Sequence, residues 1–293
     1  MQSGFLIENR PDGAHALVHR PLAPDEVKSL RSLNVSTVEI VDAKGWIGGS
    51  IAFVREMDFI ERLCIRSMLV PAAQLSSVES LIHLKVLEIA TCCRTPIDFS
   101  GFRQLERCVL KWRKGCESLF DCGQLTSLVM MCYREPQLPI QNLIALERLQ
   151  ILDSSTKTLD FLRQLKSLRR MRLGALHCLR DTQDIGYATG LQYLDIDRCS
   201  GFSSILEFKK LEKLLYLCLN DIGTIESLQP LRALLELESV FFWGNTKVND
   251  GRIEFLRELP RFSYVSFANR RHYDCKRESF AQYHHQFPFS VEF

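Results

Sequence analysis

The chain has 293 residues, 46% of them hydrophobic, which is enough to bury a sizeable core. Its formal net charge of +2 is close to zero, so charge alone argues for neither a nucleic acid nor a membrane surface as a partner. No stretch approaches the roughly 18 apolar residues of a membrane-spanning helix. The first ten residues hold one short apolar run, at 5–7, before charge intervenes, so we expect neither a transmembrane segment nor a signal peptide.

Residues 1–34 are predicted to form a hairpin followed by a short helix. Two apolar runs, at 5–7 and 16–18, flank Pro11-Asp12-Gly13, which is typical of a turn between two strands. The segment from Pro24 to Leu33 then carries acidic residues in its first turn, which favours a helix. We expect these elements to form an N-terminal cap.

Residues 35–270 repeat a unit of the form L-x-x-L-x-L, with successive starts about 23 residues apart. Clear copies begin at Leu84, Leu105, Leu125, Leu146, Leu168, Leu191, Leu214 and Leu237, and weaker copies at Val35, Ile60 and Phe262. This period predicts about 11 leucine-rich repeats in one elongated domain, because each unit needs its neighbours to bury its leucines.

The unit that begins at Leu214 illustrates the expected local structure. Leu217 and Leu219 lie two residues apart and so share one face of a short strand, whereas Tyr216 and Cys218 point to the other face. Apolar residues then recur every three residues, which suits short 3₁₀ turns. The prediction is an α/β solenoid, a horseshoe or arc with a concave parallel β-sheet and a convex side of 3₁₀ and irregular turns.

These repeats resemble the bacterial leucine-rich repeat family, and within it the internalin-like type of about 22 residues. The segment from Thr158 to Leu168 is similar to the internalin connection into a strand. The resemblance implies a recognition role and leaves the ligand open. The turn position, usually Asn or Cys in the family, holds Cys92, Cys199 and Asn245 but other residue types in most units, so we expect a broken side-chain ladder along the turns.

Residues 271–293 leave the repeat pattern and are predicted to form a C-terminal cap. Its apolar residues are aromatic enough to fold back over the last repeat: Phe280, Tyr283, Phe287, Phe289, Val291 and Phe293. The segment also contains His272, Cys275, His284 and His285, which are zinc-ligand types. Their spacing matches no strong zinc signature, so we expect surface histidines, no metal and no other cofactor.

Eleven cysteines, an odd number without a C-x-x-C pair, argue against a disulfide framework. Cys108 and Cys122 replace core leucines, and Cys92 and Cys199 take the turn position. We therefore expect buried free thiols, which favours a reducing, cytoplasmic location.

Strand residues that do not enter the core should line the concave face. In repeats eight to eleven these are mostly aromatic and acidic: Tyr193, Asp195, Asp197, Tyr216, Asn220, Phe241, Trp243 and Tyr264. Aromatic side chains give much contact area for little entropy, so this set is typical of a binding surface. The alternative is that Phe241 and Trp243 pack beneath the C-terminal tail.

Repeats four to seven place a basic stripe on the same face, consisting of Arg107, Lys111, Arg148, Arg170 and Arg172. The stripe suits acidic groups of a protein partner. It also suits nucleic-acid phosphate, although these repeats lack an interleaved aromatic platform for bases.

The sequence contains no G-x-S-x-G, P-loop, H-E-x-x-H or dinucleotide fingerprint. Cys218 lies on the strand next to Asp195, but no histidine on a neighbouring strand is placed to activate it. An idle thiol and a non-enzymatic protein are therefore expected.

The sequence predicts a cytoplasmic, bacterial-type repeat protein, monomeric when free, that binds another protein through its concave face, with no membrane partner. An immunity or inhibitor protein, an adaptor and an effector all fit this prediction. The alternative is a nucleic-acid-binding or enzymatic protein on the same scaffold, with the stripe of repeats 4–7 contacting phosphate.

Overall fold

A computed structural model describes residues 3–283 of the chain. The chain divides into two compact units, Met1–Met130 and Met131–Phe293. In both units short strands alternate with short 3₁₀ turns, as the leucine spacing predicts.

The first unit begins with a hairpin and one α-helix and continues with parallel strands. Its strands are β1 (Phe5–Arg10), β2 (Gly13–Val18), β3 (Val35–Val41), β4 (Gly49–Ser50), β5 (Arg62–Ser67), β6 (Ala72–Ala73), β7 (Val86–Thr91), β8 (Arg107–Lys111) and β9 (Ser127–Met131). The helix α1 spans Pro24–Ser32, and the 3₁₀ turns are Asp42–Lys44, Ala52–Glu56, Leu75–Ser80 and Glu117–Asp121. The main sheet runs in the order β1-β2-β3-β5-β7-β8-β9; β1 and β2 are antiparallel, and the pairs from β2 to β8 are parallel.

The second unit consists of parallel strands throughout. They are β10 (Arg148–Leu152), β11 (Arg170–Gly174), β12 (Tyr193–Asp197), β13 (Tyr216–Asn220), β14 (Thr224–Ile225), β15 (Ser239–Trp243), β16 (Lys247–Val248) and β17 (Tyr264–Phe267). The 3₁₀ turns are Asp160–Arg163, Gln183–Tyr187, Leu206–Lys210, Gln229–Ala233, Glu254–Glu258 and Arg277–Tyr283. The sheet order is β10-β11-β12-β13-β15-β17, and β14 pairs with β16 beside it.

The carboxylate of Glu26 bonds to three separate residues near the start of the chain. Pro24 occupies the first turn of α1, and Glu26, two residues later, accepts hydrogen bonds from the backbone N–H groups of Ala23 (3.0 Å) and Gly4 (2.8 Å). Arg20 pairs with both carboxylate oxygens, at 2.9 and 3.0 Å. These donors, Arg20 first, lower the pKa of Glu26 to about 2 although burial opposes the shift.

The core follows the predicted alternation. Leu149, Leu194 and Leu217, which the sequence places inside, are fully buried. Alternate residues of each strand point away from the core and line a second face of the sheet, called here the open face, which is the face predicted to be concave. The predicted leucine-rich repeat solenoid is therefore confirmed.

A left-handed residue follows each strand from β9 to β13. These residues have φ between 49° and 60° and are Cys132, Asp153, Ala175, Arg198 and Asp221. The N–H of each donates to the last carbonyl of the next strand; Ala175 N, for example, lies 2.8 Å from Asp197 O. The backbone itself therefore carries the hydrogen bonds along the turns, so most units need no Asn or Cys there.

The cysteines divide by position. Cys108, Cys122 and Cys199 are buried, as expected from their places in the repeat. Cys92 is exposed, so the expectation of a buried thiol was wrong there. The reason is that residues alternate between the two faces here: Thr91 faces the core, so Cys92 faces outward.

Beyond the last strand, Phe280 is fully buried and makes edge contacts with Phe262 and Phe267 at 6.4 and 6.1 Å between ring centroids. The aromatic residues predicted to cover the last repeat beyond residue 283, and the side chain of Tyr283, lie outside the described residues. Within residues 3–283, no helix combines the length and the apolar character that crossing a bilayer requires.

Candidate functional site

The predicted aromatic residues meet on the open face of the second unit. Strand register aligns Tyr193 with Tyr216 on neighbouring strands; Phe241 lies on the strand after that, opposite Cys218. Ring centroids are 4.3 Å apart for Tyr193 and Tyr216, 5.0 Å for Tyr216 and Phe241, and 4.9 Å for Phe241 and Tyr264. These four residues form a continuous stack, called here the aromatic ladder.

A small residue makes this stack continuous. Ser239 occupies the register position between Tyr216 and Tyr264, and it is fully buried. Phe241, two residues along the same strand, packs against both tyrosines and so bridges the gap that a serine leaves. A larger residue in place of Ser239 would occupy this space.

The residues of the ladder are less exposed than the sequence predicts. Tyr193 and Tyr216 are only 7% and 5% exposed, because each ring covers the other. Burial raises the pKa of both hydroxyls above the ordinary tyrosine value. Phe241 and Tyr264 are half-buried, and Trp243 is 37% exposed.

Trp243 has a cationic neighbour that the repeat pattern does not reveal. The guanidinium of Arg277 lies 5.6 Å from the centre of the indole ring, within the range of a cation–π contact. Arg277 is held in place because its backbone N–H donates to Asn269 Oδ1 at 2.8 Å. The sequence carries no signal for this contact, since Arg277 lies outside the repeats.

Beside the ladder lies a carboxylate with an unfavourable environment. Asp195 Oδ2 is 3.3 Å from Arg172 Nε, yet the Asp195 side chain is only 13% exposed. Burial raises the pKa of Asp195 although Arg172 opposes the shift. Perturbed carboxyl groups of this kind cluster at functional sites.

Cys218 adjoins Asp195 in the register, in surroundings that disfavour its thiolate. Burial first, and the Asp195 charge second, raise the pKa of its thiol to about 12. The thiolate is the reactive form of cysteine, so a protonated thiol is inert.

The remaining polar residues of the face are paired with each other. Asp197 accepts a hydrogen bond from Asn220 Nδ2 at 2.7 Å and pairs with Arg198 at 2.9 Å. Both residues predicted here, Asp197 and Asn220, therefore lie together at the edge of the ladder, and their polar groups are largely satisfied within the chain.

The basic stripe falls into two parts. Arg107 and Lys111 belong to the first unit, where Arg107 lies 3.7 Å from Glu88 and Lys111 Nζ lies 3.7 Å from the Met68 sulfur. Arg148, Arg170 and Arg172 belong to the second unit. There, Arg148 and Arg170 occupy the same register row as the two stacked tyrosines, and Arg148 is exposed.

The candidate zinc ligands are only partly described. His272 Nε2 lies 2.8 Å from the Val248 carbonyl oxygen, and its ring contacts Tyr273 edge-on. His284 and His285 lie outside the described residues. Within the described part of the chain, no three His, Cys, Asp or Glu side chains are grouped closely enough to hold a metal ion.

Comparisons with known proteins give a fold and no family model. No protein-family model matches the chain, and no curated protein matches it. Among solved structures, an internalin (InlF) from Listeria monocytogenes is similar over 88% of this chain and 83% of its own, with a TM-score of 0.58 and 14% identity. The functional domain of InlJ from the same organism, which includes a cysteine ladder, is similar over 88% of this chain and 54% of its own, with a TM-score of 0.55 and 16% identity. The chain thus has a leucine-rich repeat fold similar to that of the Listeria internalins.

Proposed function

We propose that the open face of the second unit is a protein-binding surface and that the chain is a non-enzymatic scaffold. The observation that carries this proposal is the aromatic ladder together with Trp243, which follows Phe241 by two residues on β15 and is 37% exposed. Tryptophan is the residue type most enriched among interface hot spots, and a pre-stacked neighbourhood reduces the entropy lost on binding. In this arrangement Trp243, Phe241 and Tyr264 contact the partner, and the buried tyrosines hold them in place.

The chemistry of the face favours an acidic partner. The faces of the ladder rings are occupied by one another, so the rings offer their edges, which carry partial positive charge. Arg148 and Arg170 continue the ladder row on one side. The acidic residues of the face already have cationic partners, Asp195 in Arg172 and Asp197 in Arg198. Arg148 is exposed at the end of this row, so an acidic protein surface would meet positive charge beside the ladder.

Asp195 supports a functional role for the same area. A carboxylate held where burial raises its pKa is less stable at neutral pH than the same group in water. Folding gains little from such a group, so its presence beside the ladder supports a functional role for this area. The proposal therefore includes Asp195 with its Arg172 neighbour.

The nucleic-acid alternative has weaker support. Single-stranded nucleic acids bind when bases stack on free aromatic faces. Here Tyr193 and Tyr216 stack on each other, Phe241 packs between two rings, and Arg277 lies over Trp243. The enzymatic alternative has less support at Cys218, because burial and the Asp195 charge raise the pKa of its thiol.

We propose a cytoplasmic protein, monomeric when free, in which residues 1–34 and 271–293 cap the repeats of residues 35–270. An immunity or inhibitor protein, an adaptor and an effector remain three roles that a protein-binding face would serve. The internalin similarity is one of fold alone and does not select among them.

The test is affinity capture from the native organism with three baits. The wild-type chain and Leu235→Ala, a control that truncates an exposed leucine away from the ladder, should retain the same specific protein. A Trp243→Ala, Phe241→Ala double variant should lose it. Retention of the same protein by all three baits would contradict the proposal and direct attention to other surfaces.

A further inference from the structure

The first unit carries two apolar side chains that nothing in the described chain covers. Leu69 is 88% exposed and Ile47 is 74% exposed, the highest values among the large apolar side chains of the described residues. Met68, beside Leu69, is also exposed. A single exposed leucine is ordinary, but exposed aliphatic residues on adjacent loops form a patch that calls for an explanation. We call Ile47, Met68 and Leu69 the apolar tips.

The two loops that carry the tips are packed against each other. The β3–β4 loop contributes Ile47 and the β5–β6 loop contributes Leu69. Gly49 N donates to Pro71 O at 3.1 Å, and the indole N–H of Trp46 donates to the same carbonyl at 3.3 Å. The tips therefore lie on one connected piece of surface.

The loops are also held in place, so the exposure is part of the structure. Asp42 Oδ2 accepts hydrogen bonds from the backbone N–H groups of Met68 (2.8 Å) and Leu69 (2.9 Å), and these donors lower the pKa of its carboxyl group. Ile47 N donates to His19 O at 2.9 Å. A side chain on a loop that is already fixed loses less entropy when it inserts or docks, and Leu69 is on such a loop.

The edge of the sheet around the tips is basic. The β3, β5, β7 and β8 strands are parallel neighbours, so the loops after them share one edge. Residues 42–48, 66–71, 92–96 and 111–115 contain six basic residues, Lys44, Arg66, Arg94, Lys111, Arg113 and Lys114, of which Arg113 is buried and the other five are at least partly exposed. The same ranges contain one acidic residue, Asp42, whose carboxylate accepts hydrogen bonds from backbone N–H groups.

Part of this charge is balanced within the chain. Lys44 pairs with Glu39, and Arg66 pairs with Glu88, two carboxylates that are largely buried on the open face. Arg94 and Lys114 are exposed. The Lys111 Nζ reaches across β7 to within 3.7 Å of the Met68 sulfur, which brings a cation directly to the apolar tips.

We infer that this edge of the first unit attaches to an anionic lipid surface, with Leu69 and Ile47 entering the bilayer interface and the surrounding lysines and arginines meeting lipid headgroups. An anionic bilayer offers apolar chains beneath a layer of negative charge, which matches apolar tips within a basic collar. A second copy of this chain is disfavoured because two basic edges repel each other. The inference does not depend on the proposed protein-binding face, which lies in the other unit.

This attachment departs from the prediction of no membrane partner, which rests on the near-neutral net charge and on the lack of a spanning segment. Hydropathy detects segments that span a bilayer, and the described residues contain no such helix. Two aliphatic tips enter only the interfacial layer and bind reversibly, with electrostatic attraction adding to the apolar contribution. Such a surface leaves no continuous signal in the sequence, because Ile47 and Leu69 are separated by an entire repeat.

The experiment is co-sedimentation of the full chain with large vesicles at about 0.1 M salt, where electrostatic attraction is only partly screened. One vesicle set is phosphatidylcholine alone, and the other contains about 30% phosphatidylserine. We expect the wild-type chain to sediment with the anionic vesicles and not with the neutral ones. The Ile47→Glu, Leu69→Glu double variant should bind the anionic vesicles more weakly than the wild-type chain, by a factor of about ten or greater.

The matched control is Ile82→Glu with Leu235→Glu, which makes the same chemical change at two exposed aliphatic residues elsewhere. It should sediment like the wild-type chain, which separates the tips from a general effect of added negative charge. Equal unfolding midpoints for the three proteins show that folding is unchanged.

Three outcomes overturn the inference: no sedimentation of the wild-type chain with anionic vesicles, equal sedimentation with neutral vesicles, or equal losses in the tip variant and its control. A photo-crosslinking residue placed at position 69 gives a further test. If it captures a protein while the chain does not bind vesicles, the tips bind a protein partner and the inference is wrong.

Discussion

The phenol rings of Tyr193 and Tyr216 lie parallel on neighbouring strands, with their centroids 4.3 Å apart and their planes 2° from each other. The two rings pack against each other, and both are almost fully buried although they point away from the leucine core. The open face of the second unit therefore has a packed aromatic layer of its own, and this layer contributes to folding as well as to the proposed binding surface.

Truncating the ladder should reduce stability. Tyr216→Ala removes a buried ring that packs on Tyr193 and Phe241, so we expect a loss of about 3 kcal/mol in the free energy of unfolding. Tyr216→Phe keeps the stack and should cost about 1 kcal/mol or less, the value of one side-chain hydrogen bond. Urea denaturation measures both values. Equal, negligible losses for both variants would mean that the ring is not packed.

Truncating a core leucine should cost about as much or more. Leu149→Ala, Leu194→Ala and Leu217→Ala each leave a cavity in a fully buried layer, and each should lower the free energy of unfolding by about 2–5 kcal/mol. The matched control, Leu235→Ala, removes an exposed side chain and should change stability by about 0.5 kcal/mol or less. A core variant that behaves like this control would refute the repeat alignment.

The left-handed turn residues predict a stabilising substitution. Ala175 has a φ of 55°, which a residue with a Cβ adopts at some cost, so Ala175→Gly should raise the melting temperature and stabilise the fold by about 0.5 kcal/mol.

Gly244 provides the opposite test of these turns. It also has a positive φ, and a Cβ there would clash with the Asp221 carboxylate, so Gly244→Ala should be destabilising. Calorimetry of both variants measures whether Ala175→Gly stabilises the fold and Gly244→Ala destabilises it. A destabilised Ala175→Gly would show that the turn is not strained.

The carboxylate of Glu26 predicts a dependence of stability on pH. Its folded pKa of about 2 lies below its ordinary value of 4.5, so its stabilising contribution is present above pH 4.5 and is lost as the pH falls towards 2. Because its Arg20 partner is partly exposed, we expect the contribution to be about 1–2 kcal/mol after screening. Glu26→Gln should therefore be less stable than the wild-type chain at pH 6.

The difference between the Glu26→Gln variant and the wild-type chain should shrink as the pH falls towards 2. Urea titrations at several pH values measure it. A difference that stays constant over this range would show that the carboxylate charge is not responsible.

The repeat architecture could be predicted because a single period controls it. Leu217 and Leu219 have counterparts in every unit, and the same leucines specify the strand, its inward face and its register. The positions of Tyr193, Phe241 and Trp243 on the open face follow directly from that register. Their location could therefore be predicted, but their exposure could not.

Exposure depends on lateral neighbours that the period does not describe. Tyr193 and Tyr216 are covered because their rings face each other across two strands, and Phe241 joins them because Ser239 is small. Arg277 reaches Trp243 from outside the repeats. The left-handed turns were not predicted either, because their usual glycine signal is absent at residues such as Ala175.

The central claim is that the open face of the second unit binds a protein. The most direct measurement is the dissociation constant of the captured partner for the wild-type chain, Trp243→Ala and the Leu235→Ala control. Trp243 is 37% exposed and outside the leucine core, so its variant should fold normally and bind more weakly by about 2 kcal/mol or more, which is about 30-fold. The control should bind like the wild-type chain, and Arg170→Glu should slow association with an acidic partner. Trp243→Ala binding with unchanged affinity would contradict the claim.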